Sequence, residues 1–315
     1  MNTQQKFVKY LATTLAILLI AAIIGGIVTS VLFLTGVYSP DSHYQGHHSG
    51  ILITDSFDSS NKNRGRYTAT DFSDRELSFS GIQNIKLDAS IYSVYLKKDD
   101  VNEIQVELHN VYNGYIVKQD GNTLILEEPN SFRNFSLNNL FDLLDNANKQ
   151  RNASIHITVP QDFTAKEVEL NGGVGNIELE KLAMEHLDID AGVGDIKGFQ
   201  VTASSADIDG GTGNIKFTSS AFGNAEIDSG VGNVIFSGTL QGHTSINCGV
   251  GNTELSLSDS RENYYLSLEK GLGTMTLNGN KIKFDDTYTE NPGAPYSLEV
   301  SGGVGNITID FADSF

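Results

Sequence analysis

The sequence predicts an all-β fold: a single-stranded parallel β-helix, or β-solenoid, with coils of about 19 residues, held behind one N-terminal transmembrane helix. Three observations carry the prediction. Gly-x-Gly units start at Gly173, Gly192, Gly211, Gly230, Gly249, Gly271 and Gly303, at intervals of 19, 19, 19, 19, 22 and 32 residues. The composition, with 32 Gly, 5 Pro and no Trp among 315 residues, is that of short strands and tight turns. The stretch from Leu11 to Leu34 carries no charge over 24 residues.

As a helix that stretch is about 36 Å long, enough to cross a hydrocarbon core of about 30 Å. It is longer than the apolar core of a cleaved signal peptide, so residues 10–36 are expected to be an uncleaved anchor. Lys6 and Lys9 precede it and the next basic residue is Lys62. The positive-inside rule therefore puts residues 1–9 in the cytoplasm and everything after the anchor outside. Ala22, Gly26 and Ser30 form a small-residue stripe that could pair two anchors, though small residues are ordinary in membrane helices.

Residues 37–80 are rich in Ser, Asp, Asn, Gly and His and read as a solvated extracytoplasmic linker. Within it His43, His47 and His48 could meet a transition metal, but nothing fixes their geometry. From Ile82 the apolar pattern turns to period two in NIKLDASIYSVYLKK, EIQVELH, YIVKQ, TLILEE and SIHITVP, giving an irregular first part of the β domain over residues 81–160. The segment 136–150 interrupts it with Leu137, Leu140, Phe141 and Leu144 at helical spacing, a short helix suited to covering a sheet edge or meeting a partner.

Residues 161–315 are the repeats. Stacking the seven units on their first glycine puts Leu170, Ile189, Ile208, Ile227, Ile246, Leu268 and Val300 in one column, three places before it. Ile177, Ile196, Ile215, Val234, Thr253, Met275 and Ile307 fill a second, four places after it. These columns are core in a stack of parallel coils about 4.8 Å apart. Gly173/Gly175, Gly192/Gly194, Gly211/Gly213, Gly230/Gly232, Gly249/Gly251, Gly271/Gly273 and Gly303/Gly305 are structural corners with positive φ. The residue between each pair, Val in five of seven, is expected to plug the corner from inside. Asn176, Asp195, Asn214, Asn233, Asn252, Thr274 and Asn306 can bond along the stack. The small column before the corner includes Cys248, read as a packed residue rather than a nucleophile. Leu87 to Val94 align with the same columns, so the solenoid could begin near Ile82.

The motifs NGGVGNIELE, AGVGDIKGF, SGVGNVIFSG and SGGVGNITIDF, spread over Ile82 to Asp310, resemble the bacterial putative-adhesin family of β-strand-repeat proteins, a domain of unknown function. The resemblance implies a parallel β-helix-like domain on a bacterial cell surface, in some members linked with envelope-stress systems. It implies no catalytic residues.

The formal charge of −18 excludes nucleic acid, whose phosphates need Lys and Arg. Gly192-Val-Gly194-Asp-Ile-Lys-Gly198 has its last glycine one place late for a dinucleotide loop and leads into strand alternation. The nine-residue calcium-binding toxin repeat fails because Ile177 stands where Asp is required. Two acidic columns remain: Asp188, Asp207 and Glu226 continue from Glu169, while Asp190, Asp209 and Asp228 lie two residues nearer the corner, and alternation points both outward. They read either as a face for cations, Ca2+ among them, or a basic ligand, or as a solvated flank that keeps the solenoid soluble. No catalytic, cofactor-binding or dedicated metal residues are expected. The reading is a non-enzymatic protein that binds or scaffolds an envelope polymer or a membrane-protein partner. An accessory of an envelope-stress sensor is the alternative, and a polysaccharide lyase or hydrolase the third.

Overall fold

Period-two apolar patterning becomes strand wherever the structure can be described, which is residues 72–129, 153–285 and 287–312 of a computed structural model. The predicted anchor (11–34), most of the linker with His43, His47 and His48, and the helical segment 136–150 lie outside the described residues. Among the described residues no helix is long and apolar enough to cross a membrane.

Each coil has two arms. In one coil the first arm is β10 (Ala183–Val193), the chain turns at Gly192 and Gly194, and the second arm is β11 (Ile196–Phe199). The first arms stack in parallel register: β2 (Asn84–Ala89), β8 (Ala165–Val174), β10, β12 (Thr202–Thr212), the latter half of β13 (Ile215–Val231) and β15 (His243–Val250). The second arms do the same through β3 (Ser93–Asp99), β9 (Ile177–Glu180), β11, the first residues of β13, β14 (Val234–Leu240) and β16 (Thr253–Leu257). Leu87 pairs with Leu170 and Val94 with Ile177, so the first coil is the glycine-free one that the alignment indicated.

The order of coils departs from the order of the chain. β21 (Tyr296–Val304) lies between β15 and β17 (Tyr264–Leu272), and β22 (Ile307–Phe311) between β16 and β18 (Met275–Leu277). The seventh corner is therefore inserted between the fifth and sixth. The longer interval before Gly271, with a turn at Arg261–Asn263, carries the sixth coil one level too far, and the C-terminal coil fills the gap.

Both ends of the stack are covered by further strands, antiparallel to the coil at one end and, at the other, a parallel strand on each arm that carries antiparallel ones. At one end β20 (Thr287–Glu290) pairs β17 and β19 (Asn280–Ile282) pairs β18. At the other, β6 (Thr123–Glu127) lies on β2 and carries β5 (Ile116–Asp120), while β7 (Ser154–Pro160) lies on β3 and carries β4 (Ile104–Tyr112) and then β1 (Phe72–Phe79). The described residues 82–129 and 153–160 thus supply the first coil and the strands that cap it. β1 falls in the stretch read as linker, because its single alternating segment is short and charged and only its pairing with β4 makes it a strand.

Both apolar columns are core. Leu170, Ile189, Ile208, Ile227, Ile246, Leu268 and Val300 are buried, as are Ile177, Ile196, Ile215, Val234, Thr253, Met275 and Ile307. The corner itself is built differently from the expectation. Val174, Val193, Leu272 and Val304 point outward and are 47, 44, 54 and 38% exposed. The chain keeps four residues outside as it rounds the bend, and the residue four places after the first glycine, Ile in four of the seven corners, fills the inside. A Cβ at Gly210 would meet Ile215 Cδ1 at 2.8 Å, and one at Gly302 would meet Ile307 Cδ1 at 2.9 Å. This is why the column before the corner is small at every position except Lys270, and Cys248 is a buried member of it, its thiol pushed up by burial.

The two glycines of a corner serve different needs, and positive φ belongs to only one of them. Gly175, Gly194, Gly213, Gly232, Gly251, Gly273 and Gly305, the second of each pair, take φ between 146° and 156°. The first glycines, Gly173, Gly192, Gly211, Gly230, Gly249, Gly271 and Gly303, do not have the positive φ expected of them. Close stacking accounts for them instead, since a Cβ on any of the seven would come within 2.6 Å of a carbonyl oxygen on the neighbouring coil. The second glycines carry both constraints. A Cβ would stand 2.5 Å from Tyr92 O at Gly175, and 1.8 Å or less from the corner glycine oxygen of the neighbouring coil at Gly232, Gly251, Gly273 and Gly305. Gly213 combines a φ of 148° with a Cβ position 1.9 Å from Gly194 O. Gly213→Ala is expected to cost on the order of 3 kcal/mol and lower Tm by roughly 6–12 °C in a calorimetric scan.

The ladder beside the corner forms as its column predicted. Asn214 N donates to Asp195 Oδ1 (2.9 Å), Asn233 N to Asn214 Oδ1 (3.1 Å), Asn252 N to Asn233 Oδ1 (2.9 Å) and Asn306 N to Asn252 Oδ1 (2.9 Å). The opposite bend carries no sequence signature: Lys181, Gln200 and Ser219 adopt φ near 55° at 19-residue spacing, and in the next coil the register shifts so that Gly238, with φ of 143°, pairs with Ser220.

Candidate functional site

Strand alternation puts the acidic residues on the outer face of the first arms, and the register aligns them. Glu169, Asp188, Asp207 and Glu226 form one row, and Asp190, Asp209 and Asp228 another. Carboxylates one coil apart repel by about 1 kcal/mol per pair even in a water-like dielectric. The carboxyl of Asp188 is raised above its usual range, first by partial burial and then by Asp207 and Glu169. Asp209 is raised by partial burial, then by Asp190 and Asp228. Relief comes at the ends of the rows: Lys86 pairs with Glu169, and Asn247 Nδ2 donates to Asp228 Oδ1 at 2.7 Å. Among the described residues no group of three His, Cys, Asp or Glu side chains is placed to hold a metal ion. The six residues Asp188, Asp190, Asp207, Asp209, Glu226 and Asp228 thus share one face as two straight rows rather than converging on a point.

A second site, absent from the sequence reading, lies on the outer face of the second arms. A groove of 490 Å³ is lined by Tyr95, Lys97, Glu178, Glu180, Lys197, Phe199, Lys216 and Thr218, with Leu96, Leu179 and Gly198 between them. The register explains the grouping. Tyr95, Glu178, Lys197 and Lys216 occupy one row across β3, β9, β11 and β13, and Lys97, Glu180, Phe199 and Thr218 the next. The stacking of Lys197 on Lys216 was legible in the repeats. The row of Tyr95 follows from the alignment of Leu87–Val94, but its stacking partner His156 lies on β7, outside the repeats.

Lys197 Nζ lies 3.3 Å from Glu178 Oε1 and 3.9 Å from Asp195 Oδ2, and Lys97 Nζ lies 3.0 Å from Asp99 Oδ2. Phe199 is an exposed ring on this otherwise polar surface. Tyr95 is held upright by stacking on His156, with centroids 4.5 Å apart and planes at 22°, and His109 meets His156 edge-on at 4.9 Å. Burial, and then His109, push the His156 imidazole down, which keeps it neutral beside Tyr95. The groove therefore offers two ring faces among paired cations and carboxylates. Such a surface binds a ligand that is apolar on its flat faces and polar at its rim.

Fold and surface together define an all-β solenoid whose chemistry stands on the outer faces of its coils. The chain belongs to the Toastrack DUF4097 family, whose sequence profile matches residues 82–291. This bears out the resemblance read from the GVGN and GVGD corners. Similar solved structures include a "putative adhesin" from Bacteroides fragilis, at 18% identity over 75% of this chain and 96% of that one, with a TM-score of 0.40. Another is a "putative cell adhesion protein" from Clostridium sporogenes, at 15% identity over 76% and 99%, with a TM-score of 0.33. A third is a "putative lipid binding protein" from Parabacteroides distasonis, at 14% identity over 75% and 96%, with a TM-score of 0.38. None of the curated proteins matches.

Proposed function

We propose that this protein is a non-catalytic binding module, displayed outside a bacterial membrane by the apolar segment 11–34, that holds an extended envelope polymer of saccharide type. The observation that carries the reading is the groove. Its rings at Tyr95 and Phe199 suit the C–H faces of sugar rings, and its rim of Lys97, Lys197, Lys216, Glu178 and Glu180 suits hydroxyl, amine and acid substituents. The row geometry supports an elongated ligand, since the site continues strand by strand across four coils.

Calorimetric titration of the full-length protein in nanodiscs with fractionated cell-wall glycans tests this. Saturable binding is expected, with the glycan recovered at its original length. Phe199→Ser, an exposed position that leaves the core intact, should weaken binding about tenfold, the effect of losing about 1.4 kcal/mol. Shortened glycan, or binding indifferent to Phe199→Ser and Lys216→Ala together, overturns the reading.

A further inference from the structure

The outward corner residues make a surface that the fold does not require. Register places Val174, Val193, Thr212, Val231, Val250, Val304 and Leu272 in one unbroken row across seven coils. At about 4.8 Å per coil the row is about 29 Å long. Packing does not call for apolar side chains here, because the buried column from Ile177 to Ile307 fills the corner from inside and Thr212 keeps the register of its neighbours in the row. Val174, Val193, Leu272 and Val304 are exposed and Thr212, Val231 and Val250 half-buried, and an outward crest so largely apolar marks an interaction surface.

Its flanks differ in charge. On the side of the first arms the crest is bordered by the bare glycine column and then by the row of Asp190, Asp209 and Asp228, backed by Asp188, Asp207 and Glu226. On the other side lies the Asn ladder, whose side-chain oxygens already accept from the next coil. The glycine column has its own structural cause in the close approach of neighbouring coils, so the case rests on the crest and its charged flank. An occupant must be apolar along its centre and basic along one edge. A second copy of this chain would bring its own carboxylates against these, and an anionic lipid surface meets the same repulsion.

Spacing decides between a strand and a helix. Same-face residues of a strand recur every 6.6–6.8 Å and lose register with a 4.8 Å crest within a few residues. A helix advances 5.4 Å per turn, so over six coil steps it drifts less than one turn, and the crest can lie in the groove between its side-chain rows. We propose that the corner crest docks an amphipathic helix of another protein, with Lys or Arg on the edge facing Asp190, Asp209 and Asp228. This surface is separate from the glycan groove, and either reading can fail without the other.

The test uses the full-length protein in zwitterionic nanodiscs and a fluorescein-labelled 20-residue peptide of Leu, Val and Lys patterned as such a helix, since 20 residues span about 30 Å. Binding to loaded over empty discs is expected, weakening about tenfold or more in Val193→Ser/Val231→Ser and in Asp190→Asn/Asp209→Asn/Asp228→Asn. The matching peptide with Glu for Lys should not bind. Added salt should weaken wild type more than the Asp-to-Asn variant. All substituted side chains face outward, so melting curves should stay near wild type and certify the fold. Equal binding by wild type and both variants overturns the proposal. So does concentration-dependent dimerisation by light scattering that Val193→Ser/Val231→Ser abolishes, which would assign the crest to a second copy. Preferential binding to anionic discs with the same dependence would assign it to lipid and overturn it as well.

Discussion

Ile227→Asp is expected to unfold the repeat region. Ile227 is fully buried in the column that runs through Leu170, Ile189, Ile208 and Ile246, between parallel neighbours on β12 and β15. Losing its packing costs about 2–5 kcal/mol, and burying an unpaired carboxylate costs several more. A domain stable by about 5–15 kcal/mol cannot absorb that sum with much to spare. The damage spreads because each coil is supported only by those on either side. Asp228→Asn, the adjacent residue on the outer face, is the matched control and should melt within a few degrees of wild type. Far-ultraviolet circular dichroism against temperature reads both. An Ile227→Asp protein that keeps its strand signal and its Tm means that the column does not face the core.

The repeat made that column legible, and the same periodicity limited what else could be read. Equivalence of positions follows from columns, so the core, the corner glycines, the Asn ladder and the outward acidic rows were all within reach. Columns do not say which coil lies on which, and the insertion of the Gly303 coil between those of Gly249 and Gly271 left no mark on them. Nor do they separate two reasons for a glycine: Gly192 and Gly194 are equally invariant down the stack, yet one is there for close approach alone and the other for its φ as well. Alternation also breaks at a bend. Counting through Gly192 sends Val193 inward, whereas the turn keeps it outside and gives the interior to Ile196.

The groove was hidden for another reason. Alignment of Leu87–Val94 with the repeat columns puts Tyr95 opposite Glu178, but the outward second-arm positions Tyr95, Glu178, Lys197 and Lys216 have no residue type common to all, so no column marked them as a surface. The bend at Lys181, Gln200 and Ser219 has no residue preference to betray it. The acidic rows illustrate the converse. Their residues were identified from spacing alone, yet their arrangement as straight lines, and hence their poor fit to a single ion, needed the register.

Glu128→Gln should stabilise the protein at neutral pH and leave it unchanged in acid. Glu128 ends the inward alternation Leu124, Leu126, Glu128 just past β6, is 5% exposed, and among the described residues neither carboxylate oxygen has a hydrogen-bond partner. Tyr92 and Tyr115 lie near it, each raised by burial and then by its charge, with Arg75 acting more weakly on both. Burial, and then Asp88, raise the Glu128 carboxyl from 4.5 to about 7. The sign follows from proton counting. Between those values the folded state holds a proton that the unfolded state has released, so stability falls as pH rises from about 4.5 to about 7, and is level on either side. The loss amounts to roughly 3 kcal/mol. The raised carboxyls of Asp188 and Asp209 add to it in the same direction. Gln carries no charge at any pH, so Glu128→Gln should match wild type near pH 4 and exceed it at pH 8, with the two urea-unfolding curves diverging across that interval. Parallel pH profiles for the two proteins would place the Glu128 carboxyl in contact with water.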